Sequence, residues 1–306
     1  MSPTPLDSER RAALSRQLSR IARDETGLLG MDGQATPIAR IGVTGAPGAG
    51  KSSLIGVLAA RRAVARAPLG ILAIDPSSPL SHGSLLGDRI RMDGVSGNDA
   101  IFIRSLASRS AHDGLCANVE PLLRVFEDAG FAEVLLETVG VGQAQHTLAA
   151  VVDTVVMVLS PHAGDSIQAM KAGLLEMADI YVVNKSDLPD ARRTAAELRA
   201  VVQRGATQAP WTPPVLLACA LSGDGLAELS QSIDDHASRV VRHRDAAAVV
   251  VQRLRHHVHE VLQRRLANTV RGIGPAVWSQ PLAAIIATIG EQFTQQRQRD
   301  APEGPS

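Results

Sequence analysis

The sequence has few aromatic residues and no excess charge of either sign. Phe, Trp and Tyr make up 2% of its 306 residues, so the core must be built from aliphatic side chains. So few rings argue against the stacking surfaces that bind single-stranded nucleic acid. Lys plus Arg and Asp plus Glu number 31 each, so no overall positive field attracts a phosphate backbone. The composition therefore argues against nucleic acid as a partner.

Cysteines and long apolar stretches are also scarce. Cys116 and Cys219 are the only cysteines and lie far apart, which rules out a disulfide framework and a CxxC metal site and fits a reducing cytoplasm. No apolar stretch is long enough to span a membrane, and the acidic residues near the N-terminus are unlike a signal or transit peptide. We therefore expect a cytoplasmic protein without a membrane partner.

Short β-branched runs alternate with Ala-rich helical stretches from Ile38 onward. The runs are IARIGVT, ILAID, AIFIR, VLLET, TVVMVLS, IYVVNK and VLLAC. Near-continuous apolar strands separated by helices predict an α/β fold with a mostly parallel sheet covered on both faces. Such sheets bind ligands at the carboxyl ends of their strands.

Helical segments are expected at both ends of this central region. Leu14, Leu18 and Ile21 have helical spacing and predict one short amphipathic helix near the N-terminus. We divide the chain into an N-terminal helical segment (1–36), a central P-loop domain (37–242), a C-terminal helical arm (243–295) and a disordered tail (296–306).

The C-terminal arm is predicted to contain two helices, separated by the sequence RGIGP. Each helix has one apolar side, formed by Val251, Leu254, Val258 and Val261 in the first and by Leu282, Ile286, Ile289 and Phe293 in the second. Two arrangements account for these apolar sides. The arm either forms a homodimer contact or folds back onto its own domain.

A glycine-rich loop follows the first strand. Gly45-Ala46-Pro47-Gly48-Ala49-Gly50-Lys51-Ser52 fits the pattern GxxxxGK[ST] between a strand and a helix, which is typical of a phosphate-binding P-loop. Its backbone N–H groups and the helix N-terminus would bind phosphate, Lys51 would reach the β- and γ-phosphates, and Ser52 would ligate Mg²⁺. Ser53 is included among the predicted nucleotide-binding residues.

A second motif predicts recognition of guanine. Asn184-Lys185-Ser186-Asp187 follows the strand IYVV, and an Asp carboxylate can accept hydrogen bonds from both N1–H and the 2-amino group of guanine. Adenine lacks these donors. Cys219, Ala220 and Leu221 follow the next strand, where GTPases usually have a Ser-Ala pair against the base.

Three acidic residues are predicted to surround the metal and the attacking water. Glu137 ends the strand VLLE and begins a Glu-x-x-Gly sequence, in which the N–H of Gly140 can bind the γ-phosphate. Asp75 ends another parallel strand, and Asp88 lies on the loop that follows it. We predict that Lys51 and these three acids are catalytic, and that the acids and Ser52 hold Mg²⁺.

Histidines at 256, 257 and 259 form the sequence HHVH within the arm. His256 and His259 share a polar helical stripe and His257 lies beside the apolar side, which favours a solvated face over a metal site.

Taken together, these motifs resemble the MeaB/ArgK (MMAA-type) family of P-loop GTPases. The resemblance covers about residues 38–225 and is carried by GVTGAPGAGKSS, DPSSPLSHGSLLGDRIRM, FIRS, ETVGVGQ and VVNKSD. It implies a homodimeric, Mg²⁺-dependent enzyme that hydrolyses GTP to GDP and phosphate.

The resemblance also implies a partner, an adenosylcobalamin-dependent acyl-CoA mutase such as methylmalonyl-CoA mutase. Members of the family gate cobalamin loading and remove inactive cofactor. Residues 137–145 and 160–173 would act as the switches that report nucleotide state to this partner. Two alternatives remain open, a metal-insertion GTPase such as those serving nickel enzymes and a P-loop small-molecule kinase.

Overall fold

The computed structural model describes residues 6–24, 26–31, 36–76, 95, 97–108, 118–138, 143–161, 178–205 and 210–299. No helix within these ranges is both long and apolar enough to cross a membrane.

Seven parallel strands form one sheet in the order β3-β2-β4-β1-β5-β6-β7. They are β1 (Ala39–Thr44), β2 (Leu69–Pro76), β3 (Ile101–Ser108), β4 (Glu133–Thr138), β5 (Thr154–Leu159), β6 (Ile180–Val183) and β7 (Val215–Leu217). Each coincides with one of the predicted β-branched runs. The order reverses direction at β1, so the loop after β1 lies at the point where α/β sheets bind ligands.

The described residues also form eight α-helices. They are α1 (Ser8–Ala22), α2 (Lys51–Ala63), α3 (Val119–Asp128), α4 (Gln143–Val151), α5 (Ala191–Gly205), α6 (Leu226–Arg239), α7 (Ala246–Arg271) and α8 (Leu282–Arg299). Short 3₁₀ segments at Val241–His243 and Pro275–Ser279 precede α7 and α8. The predicted N-terminal helix is confirmed as α1, which begins after Asp7, whose carboxylate accepts a hydrogen bond from the N–H of Arg10.

Helices cover both faces of the sheet, as predicted. One layer contains α1, α3, α4 and α5, and the other contains α2 and α6. Aromatic side chains are concentrated in the first layer, where Phe102, Phe126 and Phe131 make edge-to-face contacts with ring centroids 5.1–6.2 Å apart. Val, Leu, Ile and Ala make up most of the remaining core, in agreement with the composition.

Two buried arginines tie helices to the sheet. Arg40 on β1 lies 2.6 Å from Glu120 and 2.8 Å from Glu127 on α3. Burial alone would lower the pKa of Arg40, but attraction to the two carboxylates outweighs it and raises the pKa. Arg62 at the end of α2 similarly pairs with Glu133 on β4 at 2.6 Å. Because each charge is buried, removing one partner would leave the other uncompensated.

Helix α7 lies against the domain through polar side chains. Arg253 is 6% exposed, and its guanidinium donates to Asp153 at 2.6 Å. The other carboxylate oxygen of Asp153 accepts from the N–H of Arg40 at 3.0 Å. His257 is 4% exposed, and its Nε2 lies 2.8 Å from the carbonyl oxygen of Gly27, so this nitrogen carries the proton. The helix is therefore fixed to both the sheet and the segment after α1.

The apolar side predicted for α7 lies mostly in solvent. Val261 is buried, but Val251, Leu254 and Val258 are 46–47% exposed. Leu262 and Leu266 continue the same stripe, which we call the α7 stripe. The helix thus folds back onto its own domain and still leaves an apolar surface uncovered by the described residues.

The segment after α7 adds to this uncovered surface. Trp278, in the 3₁₀ segment before α8, is 50% exposed, and Leu282 and Ile286 on α8 are 71% and 61% exposed. The second tryptophan, Trp211, instead lies within the domain, where its indole N–H donates to the carbonyl oxygen of Asp179 at 2.7 Å.

Candidate nucleotide site

The loop between β1 and α2 is held in a conformation that only glycine can adopt. Gly45 has φ 145°, and a Cβ at this position would lie 2.0 Å from the carbonyl oxygen of Val158 on β5. Gly50 has φ 84°, and a Cβ there would lie 2.5 Å from the side-chain nitrogen of Asn184. A backbone this close to its neighbours forms the concave turn that binds phosphate.

Lys51 places its charge inside this loop. The residue is 5% exposed, and Nζ donates to the carbonyl oxygens of Gly45 at 2.9 Å and Ala46 at 3.2 Å. These contacts hold the ammonium group beside the first turn of α2, where the helix dipole adds further positive potential. The arrangement suits a polyphosphate chain.

Ser52 and Glu137 are brought together at the mouth of the loop. The hydroxyl on the first turn of α2 donates to Oε1 of Glu137 at the end of β4, at 2.7 Å. Glu137 is 5% exposed. A hydroxyl and a carboxylate are the hard oxygen ligands that Mg²⁺ prefers, so this pair fits the predicted metal.

Asn184 connects the guanine motif to the phosphate loop. Its side-chain nitrogen donates to the carbonyl oxygen of Ala49 at 2.9 Å, and its side-chain oxygen accepts from the N–H of Ala220 at 3.2 Å. Lys185 adds a contact from its Nζ to the carbonyl oxygen of Gly48 at 2.8 Å and has φ 59°, rare outside glycine. The motif therefore supports the loop in addition to any contact with a base, a role that the sequence analysis missed.

Asp187 and Cys219 are in contact at the same edge of the sheet, after strands β6 and β7. Asp187 is exposed, and one of its carboxylate oxygens accepts from the Sγ of Cys219 at 3.3 Å. Cys219 itself is buried, Ala220 is partly buried, and Leu221 is 91% exposed. Ser53, the last predicted P-loop residue, is also exposed on α2.

Several predicted positions lie outside the described residues. They include Asp88, Gly140 with the rest of 139–142 in the first switch segment, and 162–173 in the second. The backbone of Asp75 belongs to β2 and lies one residue beyond the level of Thr138 on the adjacent β4, but its side chain is not described.

The HHVH sequence places its histidines in three different environments. His257 is buried against Gly27, His256 is partly buried and His259 is exposed. Within the described ranges, no three His, Cys, Asp or Glu side chains are grouped closely enough to hold a metal ion.

Comparison with known proteins matches most of this chain to one family. Residues 18–273 match the family model described as "Methylmalonyl Co-A mutase-associated GTPase MeaB". The GTPase ArgK of Escherichia coli is 37% identical over 205 residues, which cover 64% of this chain and 60% of that protein. The methylmalonic aciduria type A homolog, mitochondrial, of Mus musculus is 35% identical over 216 residues, covering 68% of this chain and 51% of that protein.

A relative from Pyrococcus abyssi is 40% identical over 199 residues, covering 64% of this chain and 61% of that protein. The chain thus spans less than two thirds of the length of these relatives.

Solved structures agree on the fold. The crystal structure of an LAO/AO transport system kinase has a TM-score of 0.58 at 22% identity, covering 95% of this chain and all of that one. HypB from Helicobacter pylori, in complex with nickel, has a TM-score of 0.51 at 13% identity, covering 78% of this chain and 98% of that one. At these identities the similarity establishes only the fold.

Proposed function

The chain belongs to the MeaB family of methylmalonyl-CoA mutase-associated GTPases, and from this premise we propose that it hydrolyses GTP to GDP and phosphate. We further propose that it acts as a chaperone of an adenosylcobalamin-dependent acyl-CoA mutase. The observation that carries the first proposal is the convergence of Lys51, Ser52 and Glu137 at one end of the sheet.

Three groups would act on the phosphates. Lys51 would bind the oxygens of the β- and γ-phosphates and oppose the charge that spreads over the transferred phosphoryl group. Ser52 and Glu137 would hold Mg²⁺, and Glu137 would also orient the attacking water. When bound, Mg²⁺ neutralises phosphate charge and fixes the geometry of the phosphates. We assign Asp75, Asp88 and the N–H of Gly140 to the same shell on the strength of the sequence motifs alone.

Guanine selectivity would come from Asp187. Its exposed carboxylate lies at the edge from which Asn184 supports the loop, so a base bound there would continue into the phosphate site. Asn184, Lys185, Cys219, Ala220 and Leu221 would line this position. Adenine would leave the carboxylate without donors, which is a large penalty in a site built around hydrogen bonds.

The proposed partner rests on the family and on the position of the switch segments. Segment 137–145 begins at Glu137, and segment 160–173 begins directly after β5, next to β1 in the sheet. Loops held by γ-phosphate and Mg²⁺ relax on hydrolysis. A bound mutase would therefore contact one arrangement of these segments with GTP and another with GDP. We also propose that the protein is a homodimer through the α7 stripe and α8.

Transfer of adenosylcobalamin into apo-mutase, followed by absorbance, tests the chaperone proposal. The protein is loaded with GTP, GDP or a non-hydrolysable GTP analogue, and we expect the transfer rate to differ between the GTP and GDP states. By linkage, a mutase that binds one state more tightly must change the affinity for that nucleotide by the same factor, typically about 5- to 150-fold.

Equal transfer in all three states would refute nucleotide gating.

Two further measurements separate the alternative functions. Stoichiometric nickel or another transition metal in the purified protein would favour a metal-insertion GTPase, and phosphoryl transfer to a small-molecule acceptor would favour a kinase.

A further inference from the structure

An open cavity of about 510 Å³ lies between α1 and β3, away from the nucleotide site. Four arginines and two serines line it, namely Ser15, Arg16, Ser19, Arg20, Arg23 and Arg104. We call it the arginine cavity. None of the described residues that line it is acidic, although the whole chain has as many acids as bases.

Helix α1 supplies three of these arginines from one side. Arg16, Arg20 and Arg23 are spaced four and three residues apart, which places neighbouring side chains together on a helix. The C-terminal end of a helix favours cations, and this accounts for Arg20 and Arg23. It does not account for Arg16, two turns earlier in the chain than Arg23, or for Arg104 on a different element.

Arg104 is held in place by the helix. Its guanidinium donates to Oγ of Ser19 at 2.6 Å, and this hydroxyl in turn donates to the carbonyl oxygen of Ser15 at 2.7 Å. Side chains alternate along β3, so Arg104 shares the sheet face of Phe102 and Leu106, both in the core layer that contains α1. The guanidinium is therefore positioned before any ligand binds.

The three arginines that α1 contributes to the cavity carry like charges close together. No carboxylate in the described part of the chain forms an ion pair with Arg16, Arg20 or Arg23. Clustered like charges destabilise a helix, and an anion would remove this repulsion. Guanidinium groups match phosphate oxygens in shape and can bind them through two hydrogen bonds.

We propose that the arginine cavity binds a small ligand that carries at least two phosphate groups. The cavity is open to solvent and is lined by guanidinium groups from both α1 and β3, so a phosphate-bearing molecule can reach them from the surface. The site is separate from the P-loop, because α2 covers the opposite face of the sheet from α1. A phosphate ligand there would not compete with GTP.

Isothermal titration calorimetry of the full chain with pyrophosphate tests the proposal. The protein is first saturated with GDP and Mg²⁺, so that the P-loop is filled. We expect one pyrophosphate site, and we expect Arg20→Gln and Arg23→Gln each to weaken it at least about tenfold, through loss of a charged hydrogen bond. Both residues are exposed, so the fold should be unaffected. Arg255→Gln, an equal charge change at an exposed position on α7, is the control and should leave the affinity unchanged.

Two further ligands identify the source of the phosphate. Inorganic phosphate should bind more weakly than pyrophosphate, because it has one phosphate group. If adenosine 3′,5′-bisphosphate binds more tightly than pyrophosphate, the ligand is derived from a nucleotide. Absence of pyrophosphate binding at millimolar concentration would overturn the proposal. So would unchanged binding by both cavity variants, an equal loss in Arg255→Gln, or loss of the site in Lys51→Ala.

Discussion

Ser52 and Glu137 are joined by a hydrogen bond of 2.7 Å although they are 85 positions apart in the chain. Ser52 lies in the first turn of α2, and Glu137 lies at the end of β4, next to β1 in the sheet. The parallel pairing of β1 and β4 therefore sets the distance between the hydroxyl and the carboxylate. Two oxygen ligands for a cation are positioned by the sheet itself.

Glu137→Gln should slow GTP turnover at least about tenfold and weaken GDP binding much less, because an amide is a poorer ligand for the metal and the water. Phosphate release and GDP titration measure the two effects. Combining this variant with Ser52→Ala should give less than the sum of the single effects, since the two residues act on one cation. Glu228→Gln, on the exposed face of α6, is the control. Normal turnover in Glu137→Gln would mean that the carboxylate of Glu137 binds Ser52 but takes no part in hydrolysis.

Lys51→Ala should abolish GTP hydrolysis, because it removes the buried ammonium group that contacts the carbonyl oxygens of Gly45 and Ala46 in the loop. Loss of one preorganised charge contact costs about 10²–10³ in turnover, and loss of phosphate binding adds to this. Single-turnover phosphate release measures the rate. Arg61→Ala removes an exposed charge from the same helix and should retain activity. Hydrolysis at the normal rate by Lys51→Ala would remove the lysine from the mechanism.

Asp187→Ala should remove guanine selectivity while preserving the fold. In the unmodified protein, GTP and GDP should bind roughly 10⁴-fold more tightly than ATP and ADP. Calorimetry with all four nucleotides measures the ratio. Asp190→Ala is a matched control three residues away, because Asp190 pairs with the exposed Arg193 on the same helical turn. Similar affinities for ATP and GTP in the unmodified protein would refute the guanine assignment.

Leu254→Asp should convert a homodimer into a monomer. The substitution places a charge in the middle of the α7 stripe, where an apolar contact would have to bury it without a partner. Light scattering over a range of protein concentrations should show the dimer dissociation constant raised at least about tenfold. Gln252→Asp adds the same charge at another exposed α7 position and is the control. A dimer of unchanged affinity in Leu254→Asp would place the interface elsewhere.

Acidification should weaken the attachment of α7. Burial lowers the pKa of His257 below its usual 6.5, against the opposing effects of the Gly27 carbonyl and Glu120. Below pH 6.5 the unfolded chain therefore binds a proton that the folded chain does not, so stability falls as pH falls, by up to about 1.4 kcal/mol per pH unit.

Chemical denaturation between pH 5 and 7 measures this dependence on the unmodified protein and on His257→Gln, which should show a smaller slope. The exposed His259→Gln is the control. An identical slope in His257→Gln would mean that other groups cause the acid sensitivity.

The sheet and the phosphate loop were predictable because their signals are local. Each strand is a short run rich in apolar residues, and the loop requires glycine at positions such as 45 and 50, where φ is positive and a neighbouring group lies close. The pairing of Arg40 with Glu120 was not predictable, because the two residues are 80 positions apart and nothing near either one identifies its partner.

Helix α7 shows why the face of a surface helix was harder to predict. An apolar side such as Leu254 and Val258 is assigned to the interior by default, but these residues are exposed and Arg253 is buried. Which face of α7 is buried depends on Asp153, which lies in a distant part of the chain. Its carboxylate accepts a hydrogen bond from the guanidinium of Arg253. Periodicity finds an apolar side and does not reveal which partner covers it.

The scarcity of aromatic side chains gives the protein two separable optical signals. Its two tryptophans lie in different parts of the fold, Trp211 hydrogen-bonded within the domain and Trp278 half-exposed between α7 and α8. Trp278→Phe would leave emission from the domain alone, and Trp211→Phe would leave emission from the C-terminal arm. Association through the arm would then shift the second signal to shorter wavelength and leave the first unchanged.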